Sequence, residues 1–279
     1  MQVIGLCRFS YVGHGGYKQE HASLEERRAY LYAPERLEER FRLFETVCLP
    51  SVIGQTDADF QLLVVVGECF PLPYLDRLLT LTEPLPNVVI SVQPPGRHRR
   101  VMIQMLNDAR ENPDAPCLQF RLDDDDAMAV SFVERLKQAA QDLEPVWPRY
   151  PMTTIDFNRG YVYRASADGL AIKPDRYPYT ALSMGVVVAG GSNQTIMHHG
   201  HHTLWRVTPT LTIPDGDMYL RGYNSFNDSR SKGRGKEISV TPVTPEEAHH
   251  LKQTFNVDSA AVARAFSSPG LLPLPVEGE

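Results

Sequence analysis

The sequence predicts an α/β protein built on a mostly parallel sheet flanked by helices. Three observations carry that prediction. Apolar runs of strand length alternate with helix-spaced segments through the first part of the chain. One run, residues 60–66 (Phe-Gln-Leu-Leu-Val-Val-Val), is almost wholly apolar, as in a strand covered on both faces. Another, residues 117–122, ends in four consecutive aspartates, Asp123 to Asp126. Charge collected at the carboxyl end of a strand lies where open α/β sheets bind their ligands.

Taken in order, residues 3–9 form a first strand, followed by a polar, glycine-bearing loop to about residue 32. From Pro34, suited to a first helical turn, Leu37, Phe41, Phe44 and Val47 recur at helical spacing. Glu35, Glu38 and Glu39 lie early, where the helix dipole favours acids. Pro50 should end or kink this helix, with a short continuation to about Gly54. Asp57 and Asp59 mark a turn before the second strand. A helix over 75–81 leads to a third strand at 87–92, and residues 99–110 put Met102, Met105, Leu106 and Ala109 on one helical stripe. The fourth strand ends in the aspartates, and a helix follows over 130–143. After residue 148 the rhythm changes. Residues 160–164 and 170–172 read as a hairpin, 183–189 as a strand, and 205–213 as a candidate strand. Thr244 and Asp258 are N-caps for two short helices near the C-terminus. The whole reads as one compact domain of two halves, 1–145 and a mixed β/α half, 146–279.

Bulk properties narrow the function. The 279 residues are 42% hydrophobic with a formal charge of −6, and no basic tract is present to neutralise a nucleic-acid backbone. Cys7, Cys48, Cys69 and Cys117 are widely spaced, lie in or beside apolar segments and have no zinc-type spacing. They read as reduced thiols in a reducing compartment. The sequence opens directly on a strand without a signal-peptide pattern, and no apolar run approaches the ~20 residues that span a bilayer. The expectation is a cytoplasmic protein, with peripheral contact to a membrane-bound acceptor left open.

Adjacent carboxylates repel and raise one another's pKa unless a cation sits among them. One reading of Asp123–Asp126 is a Mg²⁺ or Mn²⁺ site shared with a substrate phosphate. The other is an acidic turn capping the helix near Val130, although a cap needs one aspartate and not four.

Leu49-Pro50-Ser51-Val52-Ile53-Gly54-Gln55-Thr56, the apolar strand after it and the D-x-D-D run of the aspartates resemble the glycosyltransferase A-type (GT-A) fold of family-2-like enzymes. More narrowly, Arg8-Phe9-Ser10, Arg40-Phe41, Leu49-Pro50-Ser51, Gln55-Thr56, Arg121 to Asp126 and Phe255-Asn256-Val257-Asp258 are similar to the rhamnosyltransferase family. The resemblance implies metal-dependent transfer of a sugar from a nucleoside-diphosphate donor to a glycan or lipid-linked glycan acceptor. Residues 1–145 would then bind the nucleotide sugar and 146–279 the acceptor. Mn²⁺ or Mg²⁺ would stabilise the charge left on the diphosphate. By the same resemblance Asp123 lies near the ribose, Asp125 binds the metal and Asp126 supports it or ligates beside it. Asp124 would face away, because side chains alternate along an extended chain.

Other candidates each carry a plainer alternative. Arg8 can face the nucleotide base or diphosphate, or form an edge salt bridge. Glu68 stands near the point where such enzymes hold the nucleobase, or is a loop carboxylate. Arg97, His98, Arg99 and Arg100 form a dense basic cluster before a helix, where Arg99 in particular can meet a diphosphate; a solvated helix start is the alternative. His198, His199, His201 and His202 offer a further metal ligand, with His199 or His202 preferred; a separate zinc or nickel site or a surface loop also fits. The family's late histidine is replaced by Asn224, in Tyr223-Asn224-Ser225-Phe226-Asn227-Asp228-Ser229. Asp217 and Asp215 are candidates for the acceptor base, with Asp156 behind them and a tight turn as the alternative. Trp205, Tyr161, Tyr163, Tyr177 and Tyr179 can stack on a sugar or pack in the core. Two other functions stay open: a nucleotidyltransferase, for which Gly13-His14-Gly15-Gly16-Tyr17-Lys18 is a faint phosphate loop, and a non-catalytic nucleotide-sugar-binding accessory.

Overall fold

The computed structural model describes residues 1–15, 21–224, 226 and 238–269. The first half alternates as its apolar periodicity dictates. β1 (Gln2–Arg8) is followed by α1 (Leu24–Leu31), α2 (Pro34–Leu43), α3 (Leu49–Ile53), β2 (Gln61–Gly67), α4 (Leu72–Thr82), β3 (Val88–Gln93), α5 (His98–Asp108) and β4 (Cys117–Arg121). The pairs β1–β2, β1–β4 and β2–β3 are all parallel. The chain continues through β5 (Ala127–Met128), α6 (Phe132–Asp142), β6 (Met152–Phe157), β7 (Arg159–Ser166), β8 (Gly169–Arg176), β9 (Met184–Val188), β10 (Thr210–Ile213), β11 (Tyr219–Gly222) and β12 (Thr241–Pro242). It closes with α7 (Pro245–Phe255) and α8 (Ser259–Ser267).

Among the described residues the strands form two sheets. The larger runs β10-β6-β9-β4-β1-β2-β3, and β9 lies antiparallel between β4 and β6. The smaller runs β12-β8-β7-β11-β5. Both halves of the sequence therefore contribute to the large sheet. The period-two alternation of β1 feeds two cores. Val3 and Cys7 join the cluster that includes Phe41, Phe120 and Phe132, and Ile4 and Leu6 join Met102 and Leu106 of α5 on the other face. Gly5 lies on the first of these faces, and a Cβ there would come within 2.4 Å of the Phe120 ring. Burying each such phenylalanine contributes roughly 1.5–3 kcal/mol.

The four N-terminal strands, the β7–β8 hairpin and both C-terminal helices match the sequence expectations. Thr244 accepts from the Glu247 N–H while the Glu247 side chain accepts from the Thr244 N–H, a capping box that starts α7. Several expectations need correction. The loop to residue 32 contains α1, capped by Ser23, whose hydroxyl accepts the Glu26 N–H at 3.1 Å. Its apolar signal is weak because only Arg27 and Leu31 are buried. The expected short continuation to about Gly54 is present as α3, with Gly54 at its C-cap, so Pro50 does not end the helical run. A π-helical turn over Phe44–Cys48 lets the Leu49 N–H reach the Phe44 carbonyl, so Pro50 falls in the first turn of α3, where its missing N–H leaves no bond unmade. Only Thr210–Ile213 of the 205–213 segment is a strand; His201–Arg206 is a 3₁₀ turn. No helix among the described residues is long and apolar enough to cross a membrane.

Candidate active site

The aspartates form a turn. The Leu122 N–H still pairs with the Leu6 carbonyl at 3.1 Å, and the Asp126 N–H then closes on the Asp123 carbonyl at 3.1 Å. Asp124, Asp125 and Asp126 are all buried, at 1%, 4% and 5% exposure. A cation does sit among them, and the chain supplies it. Arg40 of α2, itself buried, donates from Nε to Asp124 Oδ2 at 3.0 Å, from Nη2 to Asp124 Oδ1, and from Nη1 to Asp125 Oδ2 at 2.8 Å. This fork is the strongest geometry available to an arginine–carboxylate pair. Asp124 is committed to a guanidinium yet lines the cavity beside its neighbours, so it does not face away as expected; turn geometry, not strand alternation, sets its direction. The capping alternative fails, because Ser131 occupies the N-cap of α6 and no side chain caps that end.

The rest of the turn is tied to the second sheet. The Gly222 N–H donates to Asp126 Oδ1 at 2.8 Å, and the Tyr163 hydroxyl donates to the Asp125 carbonyl. Gly222 is required by close approach: a Cβ there would lie 2.6 Å from the Asp125 carbonyl oxygen. Burial, then Asp125 and Asp123, raise the Asp126 carboxyl well above its usual range, although the Gly222 N–H and Arg221 oppose this. Asp123 behaves oppositely. Burial pushes its carboxyl up, but Arg121, Arg8, Arg40 and Arg221 outweigh that and hold it below the usual range.

These groups line a cavity of about 480 Å³. Arg8 from the end of β1, Arg121 from the end of β4 and Arg221 from β11 face it, with Arg97 and Arg99 from the start of α5. The Arg8 Nη1 donates to His98 Nε2 at 3.2 Å. Burial first, then the Arg8 and Arg121 charges, press the His98 pKa down to about 3, so the ring is a neutral acceptor. The start of α5 is pinned beside the loop after β1, where His14 N–H bonds the Gly96 carbonyl at 2.8 Å and His98 N–H bonds the His14 carbonyl at 2.9 Å.

Of the sequence candidates, Arg8, Arg99, Asp123, Asp125 and Asp126 meet in this cavity, as does His201 from the histidine cluster. His199 and His202 are not among its described lining residues; His202 is exposed, and its carbonyl accepts from Trp205. His198 instead receives the Thr195 N–H at 2.9 Å. Glu68 is exposed past the end of β2, its N–H on the Gln93 carbonyl, and does not line the cavity. Asp217 lies apart, bonded by Arg159 Nε at 2.7 Å, His250 Nε2 at 2.9 Å and the Tyr161 hydroxyl at 3.1 Å. Asp215 is largely exposed and paired with Arg135 at 2.9 Å. Asp156 is buried, accepting from the Tyr179 N–H and the Thr212 hydroxyl. Asn224 spends both ends of its amide on the Ala165 backbone, each at 3.2 Å, which leaves its carbonyl poorly suited to ligate an ion. Gly16, Tyr17 and Lys18, and Ser225, Asn227, Asp228 and Ser229, lie outside the described residues. Sequence reasoning assigned no role to Arg121 or Arg221 and missed the pairing role of Arg40. Arg40 carried a readable signal, a charged residue on the same helical stripe as Leu37, Phe41 and Phe44.

The donor set suits a hard divalent ion. Such ions are usually held by one or two carboxylates plus substrate phosphates, not by an all-protein cage. Among the described residues no group of three or more His, Cys, Asp or Glu side chains is arranged to hold a metal ion by itself. Burial first, then the Asp125 and Asp123 charges, lifts the Asp126 carboxyl, and a bound cation would offset the charge part of that shift.

Residues 2–236 match a family described as "Putative rhamnosyl transferase". No curated protein matches the chain. Among solved structures it is similar to S. aureus TarS 1-349, at 11% identity and a TM-score of 0.42, covering 80% of this chain and 60% of that one. The same protein in complex with UDP gives 10% identity and a TM-score of 0.40, over 80% and 61%. A UDP-glucose pyrophosphorylase complexed with UDP-glucose gives 10% identity and a TM-score of 0.31, over 68% and 76%. The chain thus spans about 60% of the TarS chain it matches.

Proposed function

The chain belongs to the rhamnosyl transferase family, and from that premise we propose that it transfers a sugar, rhamnose by the family's name, from a nucleoside-diphosphate donor to a glycan or lipid-linked glycan acceptor. The observation that carries this reading is a cavity in which buried carboxylates and arginines converge at the carboxyl ends of β1 and β4. In this reading Asp123 faces the ribose, and Arg8, Arg121 and Arg99 hold the diphosphate through charge-assisted hydrogen bonds. Asp125 and Asp126 would hold Mn²⁺ or Mg²⁺, which would supply positive charge opposite the departing diphosphate. Arg40 fixes the direction of Asp124 and Asp125 through its hydrogen bonds to both. Tyr163 and Gly222 clamp the turn from the second sheet, so the carboxylates need little reorganisation when the donor arrives. Asp217, held by Arg159 and His250, lies apart from this cavity. Cys7, Cys48, Cys69 and Cys117 are not paired with one another, in keeping with the cytoplasmic setting proposed here.

The test is product analysis. The protein is incubated with Mn²⁺, a glycan acceptor panel and UDP-, dTDP- or GDP-sugars. Release of nucleoside diphosphate with sugar on the acceptor is expected, with loss of at least about a hundredfold in Asp125→Asn at an unchanged circular-dichroism spectrum. Pyrophosphate release points to nucleotidyl transfer, and binding without turnover across the panel to an accessory role. Full activity in EDTA removes the ion from the mechanism.

A further inference from the structure

Neither Asp217 nor Asp215 lines the cavity, and each is paired with an arginine. The aspartates that do line it are engaged. Arg40 holds Asp124 and Asp125, the Gly222 N–H holds Asp126, and Arg121 stands 3.8 Å from Asp123. His98 spends its Nε2 on Arg8. His14 is exposed, and its side chain has no hydrogen-bond partner among the described residues. His201 differs from all of these: one ring nitrogen is fixed, and the other has no partner among the described residues.

The fixed nitrogen is Nδ1, which meets the Tyr179 carbonyl oxygen. A carbonyl only accepts, so Nδ1 carries the proton and Nε2 of the neutral ring carries a lone pair. Burial foremost, then the Arg121, His202 and Arg221 charges, lowers the pKa of the ring against the opposing pull of the Tyr179 carbonyl. Tyr179 itself has a φ of 59°, in the left-handed region where a side chain is strained. Its N–H donates to Asp156 Oδ1 at 2.8 Å. Asp156 is wholly buried on β6, and its Oδ2 accepts from the Thr212 hydroxyl of β10 at 3.2 Å. The backbone of Tyr179 thus joins a buried carboxylate, through its N–H, to a cavity histidine, through its carbonyl. The next three residues, Thr180, Ala181 and Leu182, line the same cavity. A strained residue held from both sides at the wall of a site is over-determined by its surroundings, the arrangement that fixes a reacting group in one direction.

We propose that His201 is the catalytic base of the transfer and that Asp156 is its positioning residue, acting through the Tyr179 backbone. The inference rests on the functional reading above and adds to it the group that accepts the proton. His201 Nε2 takes the proton of the acceptor hydroxyl as the acceptor oxygen bonds the anomeric carbon. The bond from that carbon to the diphosphate oxygen breaks, and its electron pair leaves on the diphosphate. Nothing is oxidised or reduced. The displacement is single, so the product carries the anomeric configuration opposite to that of the donor. The Tyr179 carbonyl keeps its bond to Nδ1 throughout and orients the imidazolium that forms.

The test uses the full chain with whichever donor and acceptor of the panel above it accepts. In His201→Asn the amide nitrogen stands where Nδ1 does and still donates to the Tyr179 carbonyl, but nothing replaces Nε2. This variant is expected to lose about a hundredfold or more in kcat, with donor KM and calorimetric Mn²⁺ affinity unchanged. Azide, an anionic nucleophile with no proton to lose, should restore its release of nucleoside diphosphate and give a glycosyl azide of inverted configuration. His201→Gln takes its place if circular dichroism shows that the asparagine variant does not fold. Asp156→Ala should lower kcat without raising donor KM, and Asp156→Asn, which keeps an oxygen for the Tyr179 N–H, should recover most of the loss. His249→Gln, exposed on α7, changes nothing. Absence of azide rescue overturns the inference: weakened Mn²⁺ binding then makes the ring an ion ligand, and intact binding makes it a structural part of the wall. Transfer that survives His201→Asn, or that retains the anomeric configuration, sinks this inference and leaves the function standing. A wild-type chain that binds the donor and transfers nothing sinks the functional reading, and this inference with it.

Discussion

At the scale of single residues, the site depends on charges whose burial is tolerated only in company. Arg40 bridges two carboxylates that are nearly inaccessible. Arg40→Met leaves both uncompensated, and a loss of about 3–5 kcal/mol in urea unfolding is expected. Arg40→Lys restores the charge and not the fork, so it should recover only part of that loss. His98 supplies a pH-dependent signature. Its pKa is about 3 in the folded protein against 6.5 ordinarily. On acidification the unfolded chain takes the proton first, so the folded state loses ground as pH falls from 6.5 towards 3 and gains nothing further above 6.5. The slope approaches roughly 1.4 kcal/mol per pH unit inside that window. His98→Gln, which keeps an acceptor for Arg8 and cannot protonate, should flatten this part of the stability profile. Unfolding midpoints at pH 7, 5.5 and 4.5 measure it; an unchanged slope would show that another group titrates.

At the scale of elements, what the sequence made legible was whatever local pattern determines. β1, β2 and β4 are largely buried runs, β3 is an apolar run at the sheet edge, and α5 and α6 carry apolar stripes, so they could be read directly. β5 and β12, two residues each, and β11, four residues, exist only because a distant strand pairs with them, which no window of sequence shows. The same split runs through the site. Asp123 to Asp126 announced themselves, but the arginine that answers them is 84 residues from Asp124, and Arg221 reaches the cavity on β11. The histidine cluster was visible, yet the choice among its members depended on the 3₁₀ turn that carries His201 towards the cavity, its Nδ1 on the Tyr179 carbonyl. β11 is also where a small change should have a large functional effect. A methyl group at Gly222 would meet the Asp125 backbone oxygen, which cannot swing aside as a side chain tip can. Gly222→Ala is therefore expected to displace the acidic turn, lengthen the bond to Asp126 and cut transfer at least tenfold, while far-UV circular dichroism stays as before. Retained activity would mean that the turn has more freedom than this packing allows.

At the scale of the whole molecule, the cavity belongs to neither half of the sequence. Its acids and six of its seven described arginines come from residues 1–126, whereas Arg221, His201 and the clamp from Tyr163 and Gly222 come from beyond residue 160. The backbone is shared in the same way. β4 carries the aspartates on one end and is hydrogen-bonded along its length to β9, from Cys117 with Val188 to Phe120 with Gly185. Gly185 in turn leaves room for Leu136 of α6, since a Cβ there would lie 2.4 Å from the Leu136 side chain. A chain ending at residue 145 therefore keeps β1 to β4 and loses the partner of β4, the second face of α6 and the clamps on the acidic turn. It would present β4 as an open apolar edge, a template for association with another copy. Such a fragment is expected to lack a cooperative thermal transition, to aggregate at micromolar concentration and to bind neither pyrophosphate nor UDP. The full chain should instead unfold in one step whose midpoint rises with nucleotide concentration, because a ligand held by both halves stabilises them together, by about 2.7 kcal/mol at a hundredfold excess over its dissociation constant. Calorimetric scans of the two chains side by side decide the matter. A soluble, cooperatively folded 1–145 fragment that binds UDP as the full chain does would show that the second sheet is an appendage to the nucleotide site and not part of its frame.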